Sequence, residues 1–235
     1  SEHVTVSWTR SSRRSGKRPN SHSVAAEARL LLVRHGESEA NVAGLLQGQS
    51  HGALTPAGRR AAEQLAAHLA SLSADERPTS LLASDLRRAA QTADIISRSL
   101  ALAPEPTPAA REWHVGELDG RPASELHQAV AEAGVPYWEY APSGGESLLE
   151  VRTRASALVG SIQEALRDPA NAPRRVRTML VTHGDFIRMM LSMTDEYTIE
   201  RAIGVSLRNT SVTELALVGG SWQVVRIDDA RHMER

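Results

Sequence analysis

The chain of 235 residues has no cysteine and a single lysine, Lys17. The absence of cysteine excludes disulfides, thiolate metal sites and a cysteine nucleophile. A P-loop kinase places a lysine beside the nucleotide phosphates, and Lys17 lies in a segment without that motif. The G-x-S-x-G motif of α/β serine hydrolases is also missing. The remaining candidates for a catalytic group are histidine, arginine and the carboxylates.

The chain also lacks an excess of charge of either sign. Its 27 Lys and Arg residues balance 28 Asp and Glu residues, which gives a formal net charge of -1. Proteins that bind nucleic acid or membrane surfaces usually carry a basic face, and no segment is long and apolar enough to span a bilayer. We therefore expect no nucleic acid and no membrane partner. A hydrophobic content of 41% over this length predicts one folding unit.

Residues 1–28 differ in composition from the rest of the chain. Their centre reads TRSSRRSGKRPNSHS, which is rich in serine and arginine and has no apolar periodicity. Such a composition is typical of a flexible segment rather than of a packed element. We interpret residues 1–28 as a basic amino-terminal arm and residues 29–235 as the folded domain.

Two short apolar runs each end in a histidine followed by glycine. Residues 30–38 read LLLVRHGES, and residues 179–186 read MLVTHGDF. Leucine and valine runs bounded by glycine are typical of buried strands that end in a turn before a helix. In an open α/β sheet the carboxyl ends of such strands border the ligand crevice, where helix amino termini present free N–H groups. The pattern predicts a site for an anion, a phosphate, beside His35 and His183.

Strand and helix patterns alternate along the chain. Thr55 can cap a helix that begins at Pro56, and two alternating runs flank Gly219-Gly220 as in a hairpin. This order predicts an α/β fold, a three-layer sandwich with a mostly parallel central sheet, helices on both faces and an antiparallel edge strand. The predicted strands are 29–34, 80–84, 176–182 and the hairpin 211–227, and the predicted helices are 56–72, 86–102, 122–133, 146–167 and 184–193.

Four segments bring polar groups to the carboxyl edge of this predicted sheet. A neutral imidazole can attack phosphorus when one ring nitrogen is free and the other donates to a fixed acceptor. Guanidinium groups match the oxygens of a transferring phosphoryl group, and a carboxylic acid can protonate the leaving oxygen. The groups in these segments are Arg34 with His35, Arg87 or Arg88, Glu112, and His183.

These segments resemble the motifs of the histidine phosphatase superfamily, the phosphoglycerate mutase-like group. The resemblance runs from about Leu30 to about Ser211, with the motifs in the order that the family has them. The matching motifs are RHGESEAN at 34–41, LTPAGRRAAEQL at 54–65, SDLRRAAQTA at 84–93, REWHVGELDG at 111–120, GGES at 144–147, THG at 182–184 and RNTSV at 208–212.

The resemblance implies a set of catalytic and substrate-binding residues. His35 would become phosphorylated, and Glu112 would donate the proton, a role for which His114 could compete. The RAxQTA part of its motif selects Arg88 over Arg87. The implied catalytic residues are Arg34, His35, Arg88, Glu112 and His183, and the implied substrate contacts are Asn41, Gln47, Gly48, Trp113, His114 and Gly184.

The resemblance leaves three functions open. Family mutases have a considerably longer insertion where this chain has only residues 121–144. A small cap over about 113–145 would admit water, so we favour a phosphatase that hydrolyses a small-molecule phosphate ester. The alternatives are a phosphoglycerate mutase and a phosphate-binding module without catalysis.

A metallophosphatase could recruit His35, Glu112, His183 and Asp185, but two arginines at the same point would repel a cation. We therefore expect neither a metal nor a cofactor. Many members of the family are cytoplasmic and often dimeric. The resemblance accordingly implies a cytoplasmic enzyme and a possible homodimer.

Aromatic side chains are scarce, with one phenylalanine, three tyrosines and four tryptophans. Three of them, Tyr137, Trp138 and Tyr140, lie in the stretch VPYWEYAPSGGES. They predict a lid that either contacts the leaving group or anchors the small cap. Three arginines are candidates for the rim of the pocket or for a solvated surface: Arg121, Arg152 and Arg154.

Overall fold

The computed structural model describes residues 28–167 and 176–234. Its strands are β1 (Ala28–Arg34), β2 (Ser80–Ala83), β3 (Pro104–Pro106), β4 (Val176–Thr182), β5 (Val212–Val218) and β6 (Ser221–Asp229). They form one sheet in the order β3-β2-β4-β1-β5-β6. The first four in that order are parallel, β5 is antiparallel to both of its neighbours, and β6 closes the edge of the sheet.

The helices of the described residues connect these strands. They are α1 (Glu39–Ala43), α2 (Pro56–Ser71), α3 (Arg87–Leu100), α4 (Ala123–Ala133), α5 (Leu148–Arg167), α6 (Gly184–Leu191) and α7 (Ile199–Ile203). The five predicted helices and the predicted strands are all confirmed, with boundaries that differ by at most two residues. The sequence patterns missed α1, β3 and α7.

The start of α5 shows why a local signal matters. The sequence pattern predicts a start at Glu146, but the helix begins at Leu148 and Ser147 is the residue that caps it. The Ser147 backbone N–H donates to Glu150 Oε2 over 2.7 Å, and the Ser147 hydroxyl accepts from the Glu150 N–H over 3.3 Å. This reciprocal pair is a capping box, which the spacing S-x-x-E encodes.

The sheet has a hydrophobic layer on each face. Along β1, Leu30 and Leu32 belong to the cluster that packs against α5 and α6. Leu31 and Val33 belong to the cluster that packs against α2 and α3. Each fully buried side chain of this size contributes about 1.5–3 kcal/mol relative to an exposed one. The predicted three-layer α/β sandwich is confirmed, and its antiparallel pairing lies at the hairpin edge.

The register of the two central strands brings the two His-Gly turns together. Arg34 in β1 pairs with Thr182 in β4. The next residue of each strand, His35 and His183, therefore leaves the sheet at the same carboxyl edge, and their ring centroids lie 5.1 Å apart. The predicted basic arm, residues 1–28, lies outside the described residues except for Ala28 in β1.

Candidate active site

The turn after β1 is closely packed because it contains glycine. A Cβ atom on Gly36 would lie 2.6 Å from the carbonyl oxygen of Gly58, closer than real Cβ contacts. One on Gly58 would lie 2.2 Å from the carbonyl oxygen of Glu37. The Gly36 N–H also donates to Thr92 Oγ1 over 3.0 Å. This contact of the turn with α2 and α3 fixes the backbone that carries His35.

The His35 imidazole is buried, and its hydrogen bonds define its tautomer. Nδ1 lies 2.7 Å from the carbonyl oxygen of Gly36, which can only accept, so Nδ1 carries the proton. Nε2 therefore has the lone pair, and Arg88 Nε donates to it over 3.2 Å. Burial, followed by the charges of Arg88 and Arg34, lowers the pKa of His35 well below its usual value. The ring is neutral at neutral pH, and its lone pair is on Nε2.

Arg88 is buried beside His35, whereas Arg87 is exposed. The Arg88 guanidinium donates to the carbonyl oxygens of Gln47, Gly48 and Ser50 at 3.2, 2.8 and 3.2 Å. Burial lowers the pKa of Arg88 to about 10, so the group remains charged at neutral pH. Neutral carbonyl acceptors thus hold a positive charge in place without cancelling it.

Arg34 lies at the end of β1 and has the same kind of support. Its Nη1 donates to the carbonyl oxygen of Leu207. Its Nε is buried and has no hydrogen-bond partner within the described ranges. That Nε lies 3.8 Å from the position of a Cβ on Gly184, and Glu112 Oε2 lies 3.9 Å from the same point. An unsatisfied buried donor of this kind matches an anionic oxygen.

His183 is fully buried, and Ser84 orients it. The Ser84 hydroxyl oxygen accepts from the Leu86 N–H over 3.3 Å and lies 2.8 Å from His183 Nε2. With the hydroxyl proton directed to Nε2, the proton of the neutral ring is on Nδ1. Burial lowers the pKa of His183 well below its usual value, and Nδ1 has no partner in the described part of the chain. In the tautomer in which Ser84 donates to Nε2, Nδ1 is a second buried donor near His35.

Glu112 forms no ion pair with a described residue, unlike the neighbouring acids Asp185 and Glu146. Its Oε1 accepts from the Trp113 N–H over 2.9 Å, and its Oε2 accepts from the Asp185 N–H over 3.4 Å. Burial, together with the negative charge of Asp185, raises the pKa of Glu112 above its ordinary value. Its environment thus favours the protonated form more than water does, which suits a general acid.

Arg154 on α5 fixes the backbone that carries Glu112. Its guanidinium donates to the carbonyl oxygens of Ala109, Arg111 and Glu112 at 2.9, 2.6 and 3.0 Å. It also pairs with Glu146, whose Oε1 lies 2.8 Å from Arg154 Nη2. The two residues form a scaffold behind the acid, in place of the rim position considered for Arg154.

The clustered residues surround a cavity of about 190 Å³. Of the predicted site residues, Gly48 and His114 are not in its wall: the Gly48 carbonyl holds Arg88, and His114 Nδ1 accepts from the Gly116 N–H. Arg88 and His183 are buried next to His35 rather than in the wall. The predicted residues that line the cavity are Arg34, His35, Asn41, Gln47, Glu112, Trp113 and Gly184.

The structure adds residues that the sequence patterns did not assign to the site. Asp185 and Arg188 on α6 line the cavity, and Asn209 Nδ2 donates to the His35 carbonyl oxygen over 2.9 Å. Arg188 follows the THG motif on the first turns of α6, and Asn209 belongs to RNTSV, so both signals were in the motifs. A larger cavity of about 620 Å³ lies between β3 and α5, away from these residues.

Of the three aromatic residues predicted to form a lid, only one lines the cavity, and the arginines considered for its rim do not. Tyr137 lines it and packs edge-on against Trp113, whereas Trp138 and Tyr140 pack against the hydrophobic core. Arg121 instead pairs with Glu125 on the exposed face of α4, at 2.9 Å. Arg152 donates to Ser192 at the end of α6.

The acids and histidines of the described ranges do not form a group of three or more that could hold a metal ion. The metallophosphatase set of His35, Glu112, His183 and Asp185 is therefore not brought together as a ligand cluster. Among the helices of 28–167 and 176–234, none combines the length and the hydropathy needed to cross a membrane.

Known proteins resemble both the sequence and this geometry. Over 82% of its length and 86% of the relative's, the chain is 32% identical to the "Probable phosphoglycerate mutase GpmB" of Proteus mirabilis. It is 31% identical to the "Metal-independent phosphoserine phosphatase" of Arabidopsis thaliana, with coverage of 87% and 82%. A mycobacterial glucosyl-3-phosphoglycerate phosphatase solved with VO3 superimposes with a TM-score of 0.71 at 27% identity, over 86% of this chain and 98% of that one.

The family model described as "Histidine phosphatase superfamily (branch 1)" matches residues 30–230. That range contains the sheet from Leu30 of β1 onward and both His-Gly turns, together with Arg34, Arg88 and Glu112. The relatives above include phosphatases and a mutase, which are enzymes that transfer phosphoryl groups. The chain belongs to the histidine phosphatase superfamily, and it is an enzyme of that family.

Proposed function

We propose that the chain is a metal-independent phosphomonoesterase that hydrolyses a small phosphate ester through a phosphohistidine at His35. One observation carries this proposal: the His35 tautomer leaves Nε2 as the nucleophile. Arg34 Nε and His183 Nδ1, two buried donors without partners in the described ranges, are at the same edge of the sheet. Such donors suit the oxygens of a phosphoryl group.

In the first step His35 Nε2 attacks phosphorus, and the bond from phosphorus to the ester oxygen breaks. Arg34, Arg88 and His183 stabilise the charge that spreads over the phosphoryl oxygens. The leaving oxygen takes the proton of Glu112, whose raised pKa favours that protonated form. The products of this step are an alcohol, a phosphohistidine and the Glu112 carboxylate.

In the second step a water molecule attacks the phosphohistidine. Glu112, now ionised, accepts a proton from that water, as microscopic reversibility requires. A bond forms between the water oxygen and phosphorus, and the bond from phosphorus to Nε2 breaks. Inorganic phosphate leaves, and both His35 and Glu112 return to their starting states.

Hydrolysis is favoured over mutase chemistry because the part of the chain over the cavity is small. We propose that about 113–145 acts as the cap and that residues 1–28 are an arm outside the catalytic domain. Within the cap, α4 is the one helix of α type, and Trp113, Val115, Leu126 and Tyr137 line the cavity. A phosphoglycerate mutase is the second candidate, because one relative is named as a probable enzyme of that kind.

The relatives suggest the size and charge of the substrate. Their names specify phosphoserine, glucosyl-3-phosphoglycerate and fructose-2,6-bisphosphate as substrates of those proteins. A cavity of about 190 Å³ favours the smaller of such esters for this chain. A cytoplasmic location and a homodimer remain predictions from the family resemblance.

The test is the initial rate of phosphate release from a panel of phosphomonoesters in EDTA, with a separate assay for isomerisation of 3-phosphoglycerate. We expect phosphate release that EDTA does not reduce. Isomerisation without release would identify a mutase. Binding of phosphate without either reaction would identify a binding module, and inhibition by EDTA that added metal reverses would support a metallophosphatase.

A further inference from the structure

Asp185 and Arg188 form an ion pair in the cavity wall that the proposed phosphoryl chemistry does not use. Arg188 Nη1 lies 2.8 Å from Asp185 Oδ1, and about a quarter of each side chain is exposed. Both residues line the same cavity as His35 and Glu112. The pair therefore faces the space that a bound substrate would enter.

Neighbouring groups hold both members of the pair. Arg188 Nε donates to the carbonyl oxygen of Val205 over 3.0 Å. Asp185 is at the start of α6, and its backbone N–H donates to Glu112 Oε2. A position next to the proton donor is where the leaving group of a phosphate ester must lie, because Glu112 protonates the oxygen of that group.

Each member of the pair keeps one polar atom for a ligand. Arg188 Nη2 donates to no residue in the described ranges, and Asp185 Oδ2 accepts from none of them. A guanidinium N–H favours a carboxylate, whereas a carboxylate oxygen favours an ammonium or a hydroxyl group. These two free atoms belong to groups that an ion pair of 2.8 Å joins in the wall of one cavity.

The charge of the pair restricts the leaving group further. The charges of Asp185 and Arg188 cancel one another, and in the proposed first step Glu112 is protonated and Arg34 binds the phosphoryl oxygens. A leaving group with a carboxylate alone would bring a further negative charge toward Asp185, and one with an ammonium alone would bring a positive charge toward Arg188. A leaving group with both charges would satisfy both free atoms and add no net charge.

The size of the cavity favours a compact molecule. Pockets for drug-sized ligands have volumes of about 300–1,000 Å³, and this one has about 190 Å³. Leu46, Val115 and Leu126 form apolar parts of its wall. These surfaces would contact the short carbon chain between the phosphate and the charged end.

We propose that Asp185 and Arg188 select a phosphorylated hydroxy-amino acid, with Arg188 binding its carboxylate and Asp185 binding its ammonium group. This inference rests on the proposed phosphatase function. It assigns the substrate class by the charges of the leaving group, and it makes Asp185 and Arg188 specificity-determining residues.

Three alkyl phosphates test the inference, because they share a primary alcohol as leaving group and differ in charge. O-phosphoserine has both a carboxylate and an ammonium group, 3-phosphoglycerate has the carboxylate with a neutral hydroxyl group in place of the ammonium, and O-phosphoethanolamine has only the ammonium group. We expect kcat/KM for O-phosphoserine to exceed that for either of the others by about 10- to 100-fold, the value of one charge-assisted hydrogen bond. An equal or higher value for either would overturn the inference.

Two substitutions separate the halves of the subsite. Asp185→Asn should lower the ratio of kcat/KM for O-phosphoserine to that for 3-phosphoglycerate by about tenfold. Arg188→Gln should lower the ratio of O-phosphoserine to O-phosphoethanolamine by a similar factor. Ratios between alkyl esters remove any shared effect on Glu112 or on folding. Arg121→Gln removes an exposed arginine that precedes α4 and pairs with Glu125, and as the matched control it should change neither ratio.

p-Nitrophenyl phosphate distinguishes the two possible failures. Release of phosphate from this activated ester without a preference among the three alkyl phosphates would overturn the substrate class and leave the phosphatase intact. Unchanged ratios in both variants would overturn the roles of Asp185 and Arg188. No release from any ester would overturn the proposed function, and the inference with it.

Discussion

Two buried carboxylates, Glu112 and Glu214, both lie among arginines, but they have different kinds of hydrogen-bond partner. Glu214 on β5 pairs with Arg29, Arg177 and Arg226 at 3.3, 3.6 and 2.8 Å. Glu112 forms no such pair in the described ranges and accepts only from the backbone N–H groups of Trp113 and Asp185. The first arrangement neutralises an acid, whereas the second leaves it ready to hold a proton.

The arginines differ in the same way. Around Glu214 the guanidinium groups are paired with a carboxylate, so their charge is largely cancelled. At the site, Arg34 and Arg88 donate to backbone carbonyl oxygens. Carbonyl groups fix a guanidinium without neutralising it, and the charge remains available to a phosphoryl group. Buried charge without a carboxylate partner therefore distinguishes Arg34 and Arg88 at the candidate site from the arginines around Glu214.

The largest effect should come from the nucleophile. His35→Ala removes Nε2, so kcat/KM should fall by roughly 10⁴-fold or more for every ester, as with nucleophiles of other two-step hydrolases. Phosphate release from p-nitrophenyl phosphate measures it. Activity above a trace would mean that His35 is not the nucleophile.

Glu112→Gln should produce the next largest effect, and its size should depend on the ester. Alkyl esters need the proton, so their turnover should slow by about 10²–10⁴-fold, whereas activated aryl esters should slow much less. Because the pKa of Glu112 is raised, the wild-type rate of phosphorylation by alkyl esters should fall as pH rises through that pKa. Equal slowing of both ester types would indicate a positional role instead.

Arg154→Lys should reduce turnover of alkyl esters by about 10- to 100-fold, because misplacement of a reacting group by about an ångström costs that much. Lysine cannot reproduce the three carbonyl contacts that hold the Glu112 backbone. Aryl esters should slow less than alkyl esters. Arg152→Lys, on the same helix and bonded to Ser192, is the control and should show no such dependence on the ester.

The smallest expected effect is on stability, where replacing Glu214 and replacing Glu112 should change the free energy of unfolding in opposite directions. Glu214→Gln leaves Arg29 and Arg177 without a carboxylate partner and Arg226 with Asp229 alone, and it should destabilise the fold by about 1–3 kcal/mol, since these partners are partly exposed. Glu112→Gln should instead stabilise the fold at neutral pH. Because the folded-state pKa of Glu112 is raised, the wild-type fold loses stability as the pH rises above about 4.3, the pKa of glutamate in an unfolded chain.

Urea unfolding of the two variants at pH 4 and pH 7 measures this contrast. The advantage of Glu112→Gln over the wild type should grow between the two values. A loss of stability in both variants at pH 7 would mean that Glu112 is as well compensated as Glu214.

Sequence patterns predicted the parts of the fold that local chemistry determines. The runs before His35 and His183 are apolar enough to identify buried strands, and Thr55-Pro56 marks the start of α2. β3 was missed because its residues, Pro-Glu-Pro, are typical of a connection. Its pairing with β2 is a tertiary contact. α1 and α7 are single short turns, which periodicity over a longer window does not detect.

The candidate site was predictable to a similar extent. Motifs singled out His35, Arg88, Glu112 and His183, and the register of β1 and β4 explains why two of them are adjacent. The contacts of Arg154 and Arg188 could not be predicted, since an arginine on an amphipathic helix has the same local pattern whether it is solvated or bonded to a distant carbonyl. Only the packing of α5 and α6 decides between these possibilities.

The most direct test of the account is to locate the phosphoryl group during turnover. The enzyme is mixed with a ³²P-labelled ester, quenched in alkali within milliseconds, digested and mapped by mass spectrometry. The account predicts one alkali-stable, acid-labile phosphoryl group on Nε2 of His35, absent from the His35→Ala variant. A phosphoryl group on another residue, or rapid turnover by the wild type with no labelled enzyme and inverted stereochemistry at phosphorus, would contradict it.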